Sequence, residues 1–198
     1  MFRTRTFIAL LLILSLTFIF AACKDGDADE KDVSEESKIS EKEDVSKAEK
    51  EDVSKTEEPT DGKYTFDHIT LELPEGFKMS ELNGVPIALC PGYPTPSDNI
   101  TFTCTAADNI NAYSKDVFEN TYKQMFEGFD EITSYELIKV DGVDSIRLEY
   151  GISANGIAMV QTQVFIFGKS FTDIITFTDV SGKFNDEFED CLASVKAK

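Results

Sequence analysis

The sequence contains no tryptophan, a single histidine and only four cysteines, and it has 19 lysines and arginines against 37 aspartates and glutamates. The deficit of basic residues excludes a simple nucleic-acid-binding protein, because contacts to phosphates require clustered lysine or arginine. One histidine and few cysteines leave little basis for histidine-dependent catalysis or for a metal site built from cysteine and histidine. We therefore expect no nucleic-acid partner, no catalytic residues, no metal and no cofactor.

The 198 residues divide into three segments of different composition. Residues 1–22 carry a charge of +2, residues 24–61 a charge of −9 and residues 62–198 a charge of −11, within a formal net charge of −18. All six tyrosines and 12 of the 16 phenylalanines lie in the third segment. A chain of this length accommodates one domain plus accessory sequence, and the aromatic residues place that domain at residues 62–198.

The N-terminal segment has the layout of a secretory signal peptide. Arg3 and Arg5 provide a basic start, an apolar run of 14 residues covers positions 7–20, and the small pair Ala21-Ala22 follows. This order is typical of a signal peptide. A membrane-spanning helix needs about 20 apolar residues, so a permanent transmembrane anchor is the weaker interpretation.

Cys23 directly follows the two alanines, and Phe20-Ala21-Ala22-Cys23 resembles the lipobox of bacterial lipoproteins. Phe20 departs from the aliphatic residue usual at that position. The resemblance implies that Cys23 is lipidated, becomes the mature N-terminus and anchors the protein in the membrane, facing outside the cytoplasm. Two or three acyl chains would make this anchoring stable, because one chain binds only marginally. The alternative is an ordinary Ala-x-Ala-like cleavage site with a cysteine nearby.

Residues 24–61 contain no aromatic residue, and their only bulky apolar side chains are one isoleucine and three valines. Such a segment cannot bury enough apolar surface to offset the entropy of ordering. We therefore expect residues 23–61 to be the lipidated cysteine and a disordered acidic tether, in which Lys42–Glu49 repeats closely as Lys50–Glu57. As a flexible coil the tether would span roughly 35 Å, which suits a spacer. A specific acidic recognition sequence is the alternative.

Alternating apolar and polar residues, and short apolar runs between turn residues, predict the strands of the third segment. These are residues 69–73, 85–89, 100–104, 135–140, 143–152, 157–167 and 171–178. Asp141-Gly142 and Asn155-Gly156 predict tight hairpins between the later strands. The last four strands are therefore expected to form an antiparallel meander with one buried face.

Apolar residues at helical spacing predict two helices. The first begins at Ser114 and has the stripe Phe118, Tyr122, Met125 and Phe129; the second begins near Lys183 and has the stripe Phe184, Phe188, Cys191, Leu192 and Val195. The order of strands, helix, four strands and helix predicts an α+β domain in which a twisted antiparallel sheet packs with two main helices.

Several segments of this domain resemble the PsbP-like family. They are the strand and Leu-Pro-Glu-Gly-Phe run of residues 69–77, Asn99-Ile100-Thr101, Val140-Asp141-Gly142, residues 174–178, and a last helix ending near Ser194-Val195. The family includes a photosystem extrinsic subunit and bacterial DcrB-like and LpqN-like lipoproteins. The resemblance covers nearly all of residues 62–198 and implies an interaction module with no shared catalytic residues.

The domain contains Cys90, Cys104 and Cys191, and an exported protein can form a disulfide. Cys104 lies on the apolar face of its strand and Cys191 in the apolar stripe of the last helix, so a Cys104–Cys191 disulfide is geometrically allowed. Three buried free thiols are the alternative. His68 lacks a second histidine or a Gly-x-Ser-x-Gly motif nearby, so we interpret it as a strand-end histidine rather than a general base.

Tyr93 and Pro94, in the proline-rich loop of residues 91–96, are the best candidates for contact with a partner. The prolines pre-order the loop, so an aromatic side chain there adds contact area at a low entropic cost. A plain connection is the alternative. Asp108, Asp141 and Asp144 could bind Ca²⁺, but no Asp-x-Asp-x-Asp-Gly loop with a closing glutamate is present.

These features predict a bacterial surface lipoprotein that presents a non-catalytic domain for binding a protein or ligand. The alternative is a carrier that holds a small apolar ligand or lipid in a cleft between sheet and helix. A closed core would favour a protein partner, whereas an apolar cavity of several hundred Å³ would favour the carrier. The identity of the partner is not encoded in any motif of the sequence.

Overall fold

The computed structural model describes residues 62–198, apart from Asn155. The predicted signal peptide, the lipidation of Cys23 and the acidic tether therefore lie outside the described residues. The strands are β1 (Lys63–Phe66), β2 (Ile69–Glu72), β3 (Lys78–Leu82), β4 (Val85–Leu89), β5 (Asn99–Ala106), β6 (Phe129–Val140), β7 (Val143–Ala154), β8 (Ile157–Phe167), β9 (Phe171–Asp179) and β10 (Lys196–Ala197). The helices are a 3₁₀-helix (Ile110–Ala112), α1 (Lys115–Met125) and α2 (Asn185–Ala193). The predicted α+β class is confirmed.

Seven strands form one antiparallel sheet in the order β3-β4-β5-β9-β8-β7-β6. The predicted meander of four consecutive strands, β6 to β9, is confirmed. It is joined to the earlier strands because β5 pairs with β9 along its whole length. Asp141 and Gly142 connect β6 to β7 with φ angles of 49° and 84°, the positive values that a two-residue hairpin turn requires.

A second, three-stranded sheet has the order β1-β2-β10. The last strand lies beside an early strand of the domain, since Lys196 pairs with Thr70 and Ala197 with Ile69. Strands β1, β3 and β10 were not predicted from the sequence. All three are at most five residues long, too short to establish a clear alternation of apolar and polar residues.

Both predicted helices are present, and α1 is shorter than its apolar stripe suggested. Ser114 caps α1 as predicted, since its Oγ accepts a hydrogen bond of 3.3 Å from the Val117 N–H. The helix ends four residues before Phe129, so the assignment of Phe129 to the helix is wrong. The reason is the backbone at Gly128, where a Cβ would lie 1.7 Å from the Ser153 carbonyl oxygen as the chain enters β6. Neither helix of the described residues is long and apolar enough to cross a bilayer.

Apolar side chains are buried on both faces of the seven-stranded sheet. Adjacent residues of a strand point to opposite faces, and Phe165 belongs to one buried cluster while Val164 and Ile166 belong to another. The α1 core includes Phe118, Tyr122, Phe126, Ile146, Leu148, Tyr150 and Phe165. The α2 core includes Tyr64, Leu71, Phe102, Val164, Ile175, Phe177, Phe188 and Cys191. The expectation of a single buried face is wrong, because the small sheet and α2 form a further layer over the second face.

Two polar ladders cross the α1 core. The hydroxyl of Tyr122 donates to Oε1 of Gln163 at 2.5 Å, and Nε2 of Gln163 donates to Oγ1 of Thr176 at 3.1 Å. A parallel ladder runs from Tyr150 through Gln161 to Thr178, with distances of 2.6 and 3.1 Å. All six residues are buried. The two glutamines are therefore fixed by their partners, and each ladder links the tyrosine to β8 and β9.

Candidate functional site

A groove lies between α2 and the neighbouring surface of strands β7, β8 and β9. Alternate side chains of β7 and β8 point towards α2, including Arg147, Glu149, Val160 and Thr162. Together with Phe177 from β9 and one face of α2, they enclose a volume of ≈ 290 Å³. The floor is apolar and the rim is charged, a combination that is usual in binding sites on protein surfaces.

A second depression of ≈ 410 Å³ continues the groove past the end of β9. Val160 and Asp179 line both depressions, so the two form one continuous surface feature. Val160 is 43% exposed, which is unusual for a valine on a strand next to a core. The second depression also presents the backbone of Gly151 and Gly182.

An ion pair spans the first depression. The guanidinium of Arg147 on β7 contacts the carboxylate of Glu189 on α2 through both nitrogens, with Nη1 to Oε2 at 3.1 Å. The side chain of Glu189 is half exposed, so water competes for the pair and its net contribution to stability is small. The pair can therefore open, and each charged group is then available to a charged or polar partner.

Two carboxyl groups lie beneath the rim, at the junction of the β4–β5 loop and the end of β9. Asp98 is fully buried, and its Oδ1 accepts hydrogen bonds from the Val180 N–H, the Ser181 N–H and the Ser181 hydroxyl at 2.9 to 3.1 Å. Burial opposes ionisation of Asp98, but these hydrogen bonds outweigh it and hold the pKa of Asp98 below its ordinary value. Burial and the nearby Asp98 carboxylate instead raise the pKa of Asp179. The pKa values of these two neighbouring carboxyl groups are therefore shifted in opposite directions, and Asp179 is the more easily protonated of the two.

The loop predicted to contact a partner does not line this groove. Tyr93 is half-buried and packs against the α2 core, while Pro94 is exposed. The loop is connected to the groove through Asp98, which follows it in sequence and bonds to the backbone beyond β9. A role for Tyr93 and Pro94 in partner contact stays a prediction.

The cysteines proposed for a disulfide are free thiols in the structure, as is Cys90. Cys191 is buried in the α2 core. The Sγ of Cys104 instead lies 3.6 Å from Nδ1 of His68, and Asp173 completes this contact group. His68 lies immediately before β2, as expected of a strand-end histidine. Asp173 was not predicted as a site residue from the sequence, because it lies in an apolar strand with no motif around it.

The three carboxylates considered for Ca²⁺ each have a separate local partner. Asp108 accepts from the Tyr113 hydroxyl at 2.5 Å, Asp144 from the Lys139 ammonium at 2.6 Å, and Asp141 from the Ala197 N–H at 3.2 Å. None of them belongs to a group of potential metal ligands within the described part of the chain. They act there as turn and surface ion-pair residues.

Comparison with known proteins gives a likeness of fold. No protein-family model matches the sequence, and no curated protein matches it. The solution structure of cyanobacterial PsbP (CyanoP) from Synechocystis sp. PCC 6803 superimposes with a TM-score of 0.55 at 11% identity, covering 69% of this chain and 91% of CyanoP. The domain has a PsbP-like fold.

Two further solved structures are similar at lower scores. LpqN, a protein involved in cell envelope biogenesis of Mycobacterium tuberculosis, matches with a TM-score of 0.46 at 13% identity over 65% of this chain and 82% of LpqN. A protein from Bacteroides thetaiotaomicron matches with a TM-score of 0.45 at 16% identity over 66% of this chain. This chain spans less than half of the Bacteroides protein, of which 45% is covered.

Proposed function

We propose that this protein is a membrane-anchored, extracytoplasmic lipoprotein whose PsbP-like domain binds a partner in the groove between α2 and the sheet. The observation that carries the proposal is the groove itself, in which the exposed Val160 and the aromatic floor are bordered by Arg147, Glu189 and Asp179. Such a surface offers apolar area for affinity and charged groups for specificity.

The lining of the groove supports a non-catalytic role. No histidine, cysteine or lysine is present among the described residues that line either depression. A nucleophile paired with a histidine or lysine base therefore has no counterpart among these lining residues. Oδ1 of Asp98 and Oδ1 of Asp179 accept hydrogen bonds from the backbone amides of residues 180–182, which is a structural arrangement.

The charged rim favours a protein partner over an apolar small molecule. A lipid carrier needs an enclosed apolar cavity of several hundred Å³. This groove is open, and four of its lining residues, Arg147, Glu149, Asp179 and Glu189, are ionisable. Both cores are closed, since their large aromatic members are buried. A protein segment with apolar side chains and polar flanks matches this surface better than a hydrocarbon chain does.

Anchoring at the membrane is supported by the N-terminal sequence. The basic start, the 14-residue apolar run and Cys23 after two alanines are the features of a lipoprotein signal. Residues 24–61 would then be the spacer between the acyl chains and the domain. The −9 charge of this spacer favours an extended chain and opposes close contact with an anionic bilayer.

Site-specific photo-crosslinking tests the groove. A photoreactive amino acid is placed at Val160 in the groove or, as a matched control, at Val117 on α1, which packs on the opposite face of the sheet; the two valines are 43% and 39% exposed. In membranes, we expect a discrete crosslinked species with Val160 and not with Val117. The species should disappear when Arg147→Glu is introduced as well. Equal crosslinking at the two positions would contradict the assignment of the groove, and crosslinking to lipid alone would favour the carrier.

Mass spectrometry of the mature protein tests the anchor. We expect a diacylated or triacylated Cys23 as the first residue, and Cys23→Ser should prevent processing at this site. Cys90→Ser serves as the control, because Cys90 is a buried thiol of the domain and its replacement should leave acylation unchanged. An unmodified mature N-terminus would disprove the lipoprotein assignment while leaving the groove experiment interpretable.

A further inference from the structure

Three side chains with different donor atoms converge at the end of the α2 core away from the groove. Nδ1 of His68 lies 3.4 Å from Oδ1 of Asp173 and 3.6 Å from Sγ of Cys104, and the three donor atoms all lie within 4.8 Å of one another. Cys104 and Asp173 are direct cross-strand partners on β5 and β9. His68 reaches them from the turn between β1 and β2, so the cluster joins the two sheets.

The spacing of these atoms matches a tetrahedral metal site. Zinc bonds measure about 2.0–2.1 Å to nitrogen or oxygen and about 2.3 Å to sulfur, so tetrahedral ligands are separated by about 3.4 Å for nitrogen and oxygen and about 3.5 Å for nitrogen and sulfur. The observed separations are 3.4 and 3.6 Å. Two of the three separations are therefore those of tetrahedral zinc ligands, and the third, between Sγ of Cys104 and the Asp173 carboxylate, is within 4.8 Å.

The arrangement does not match a catalytic triad. In a triad the histidine lies between the nucleophile and the carboxylate and uses one ring nitrogen for each. Here Cys104 and Asp173 both lie next to the same nitrogen, Nδ1 of His68.

A cation would resolve the electrostatic conflict in this cluster. Asp173 is 3% exposed, and its nearest cationic candidate is a histidine that carries a full charge only when protonated. The exposed Asp67 adds further negative charge close by. A divalent ion would neutralise Asp173 and stabilise the thiolate of Cys104, since metal binding deprotonates a coordinating thiol.

The surroundings hold the histidine in place and leave access from solvent. The imidazole of His68 stacks on Phe171 with a centroid distance of 3.9 Å and an interplanar angle of 12°. Stacking limits the rotation of the ring and keeps Nδ1 directed at the other two ligands. The side chain of His68 is 34% exposed, so water can reach the cluster and occupy a fourth coordination position.

We propose that His68, Cys104 and Asp173 form a binding site for a single Zn²⁺ or chemically similar thiophilic divalent cation, with one open coordination position. The mixed nitrogen, sulfur and oxygen ligands suit zinc, whereas Ca²⁺ and Mg²⁺ require oxygen ligands throughout. This proposal departs from the expectation of no metal, and the proposed site is separate from the groove. Asp173 and Asp179 lie six residues apart on β9, which corresponds to about 20 Å along a strand.

Titration of the detergent-purified full-length protein with Co²⁺ tests the proposal, because a thiolate bound to cobalt produces a charge-transfer band in the near ultraviolet. We expect saturation at one equivalent and displacement of cobalt by Zn²⁺. Cys104→Ser should abolish the charge-transfer band, and His68→Ala and Asp173→Asn should each weaken cobalt binding at least about 100-fold, more than the loss of an outer-shell contact does. The controls are Cys90→Ser and Cys191→Ser, which should retain the band.

Thermal unfolding provides a second measurement that does not depend on colour. Zn²⁺ should raise the Tm of the wild-type protein, since a ligand that binds the native state stabilises it, and should not raise the Tm of the three ligand variants. Melting in the presence of a chelator tests whether each variant is folded. If one variant is unfolded, the other two variants test the proposal. A cobalt band retained in Cys104→Ser, or no band in the wild-type protein, would overturn the proposal. Cobalt bound only by carboxylates elsewhere in the acidic chain would produce no thiolate charge-transfer band, and its binding would not depend on Cys104.

Discussion

Removal of one hydroxyl group should measure how much a polar ladder of the α1 core contributes to the free energy of unfolding. In Tyr122→Phe, Oε1 of Gln163 loses the donor that now lies at 2.5 Å. Both side chains are buried, with Tyr122 at 0% exposure, so no solvent is positioned to replace that donor. A buried polar atom left without a partner costs about 1–3 kcal/mol. For a domain of this size, such a loss lowers the Tm by several degrees.

The matched control is Tyr135→Phe. The hydroxyl of Tyr135 also donates to a single acceptor, the carbonyl oxygen of Tyr113 at 2.7 Å, but this tyrosine is only partly buried. Water can replace the lost donor there, so we expect a cost below about 1 kcal/mol.

Urea unfolding followed by far-ultraviolet circular dichroism provides the comparison for the full-length protein. The triple variant Tyr122→Phe/Gln163→Leu/Thr176→Val should recover part of the loss, because it removes the whole ladder, including the Thr176 hydroxyl to which Gln163 donates, and leaves no ladder atom unpaired. If Tyr122→Phe is no more destabilising than Tyr135→Phe, or if the triple variant is less stable than Tyr122→Phe, the unpaired acceptor is not the cause of the loss.

Three further predictions concern the backbone, the acid pair and the ion pair. Gly128→Ala should destabilise the fold by at least about 3 kcal/mol in urea unfolding, since its Cβ would lie 1.7 Å from the Ser153 carbonyl oxygen; a change below 1 kcal/mol would refute this. The raised pKa of Asp179 means that its favourable contribution is present below its unfolded pKa and is lost as the pH rises through its folded pKa. Asp179→Asn should therefore raise the Tm at neutral pH and flatten its fall above about pH 4, while Asp98→Asn should lower the Tm; equal pH profiles of Asp179→Asn and wild type would contradict the raised pKa of Asp179. Arg147→Met should change the free energy of unfolding by less than about 1 kcal/mol, because its partner on α2 is half exposed, and a larger loss in urea unfolding would show that the ion pair holds the helix on the sheet.

The candidate groove and the proposed metal site lie at opposite ends of β9, and this separation makes them independently testable. Substitutions at Cys104 or His68 should leave crosslinking from Val160 unchanged if the metal site has a structural or separate role. A loss of crosslinking in a folded Cys104→Ser variant would instead indicate that the two sites communicate through β9. That strand is buried along seven consecutive residues, 172–178, and connects the two sites directly.

Local sequence signals were sufficient for most elements of the larger sheet and for α1. The alternation through Ile146, Leu148 and Tyr150 predicts one buried face of β7, because side chains of a strand alternate with a period of two. Asp141-Gly142 predicts a two-residue turn because both residues tolerate positive φ. Ser114 predicts the start of α1 because its hydroxyl satisfies an otherwise unpaired backbone N–H. Each signal depends on neighbours within a few residues and survives without knowledge of the tertiary structure.

Contacts between distant parts of the chain were decided only by the tertiary structure. The end of α1 depends on Gly128 meeting Ser153, and the second buried face depends on β1, β2 and β10 meeting at one end of the sheet. The candidate groove likewise depends on where α2 comes to rest on β7 and β8. None of these features leaves a periodic pattern, because they arise from packing between segments and not from the geometry of one segment.

The scarcity of histidine and cysteine in this sequence illustrates the difference most directly. The sequence by itself determined that no compact Cys/His motif is present, that basic clusters for nucleic acid are absent, and that an aromatic-rich α+β domain follows an acidic segment. Only the fold decided that the single histidine, His68, meets Cys104 and Asp173, from 36 and 105 residues away. The physical reason is that β5 and β9 pair in a register that places Cys104 opposite Asp173, and the small sheet then carries His68 over both.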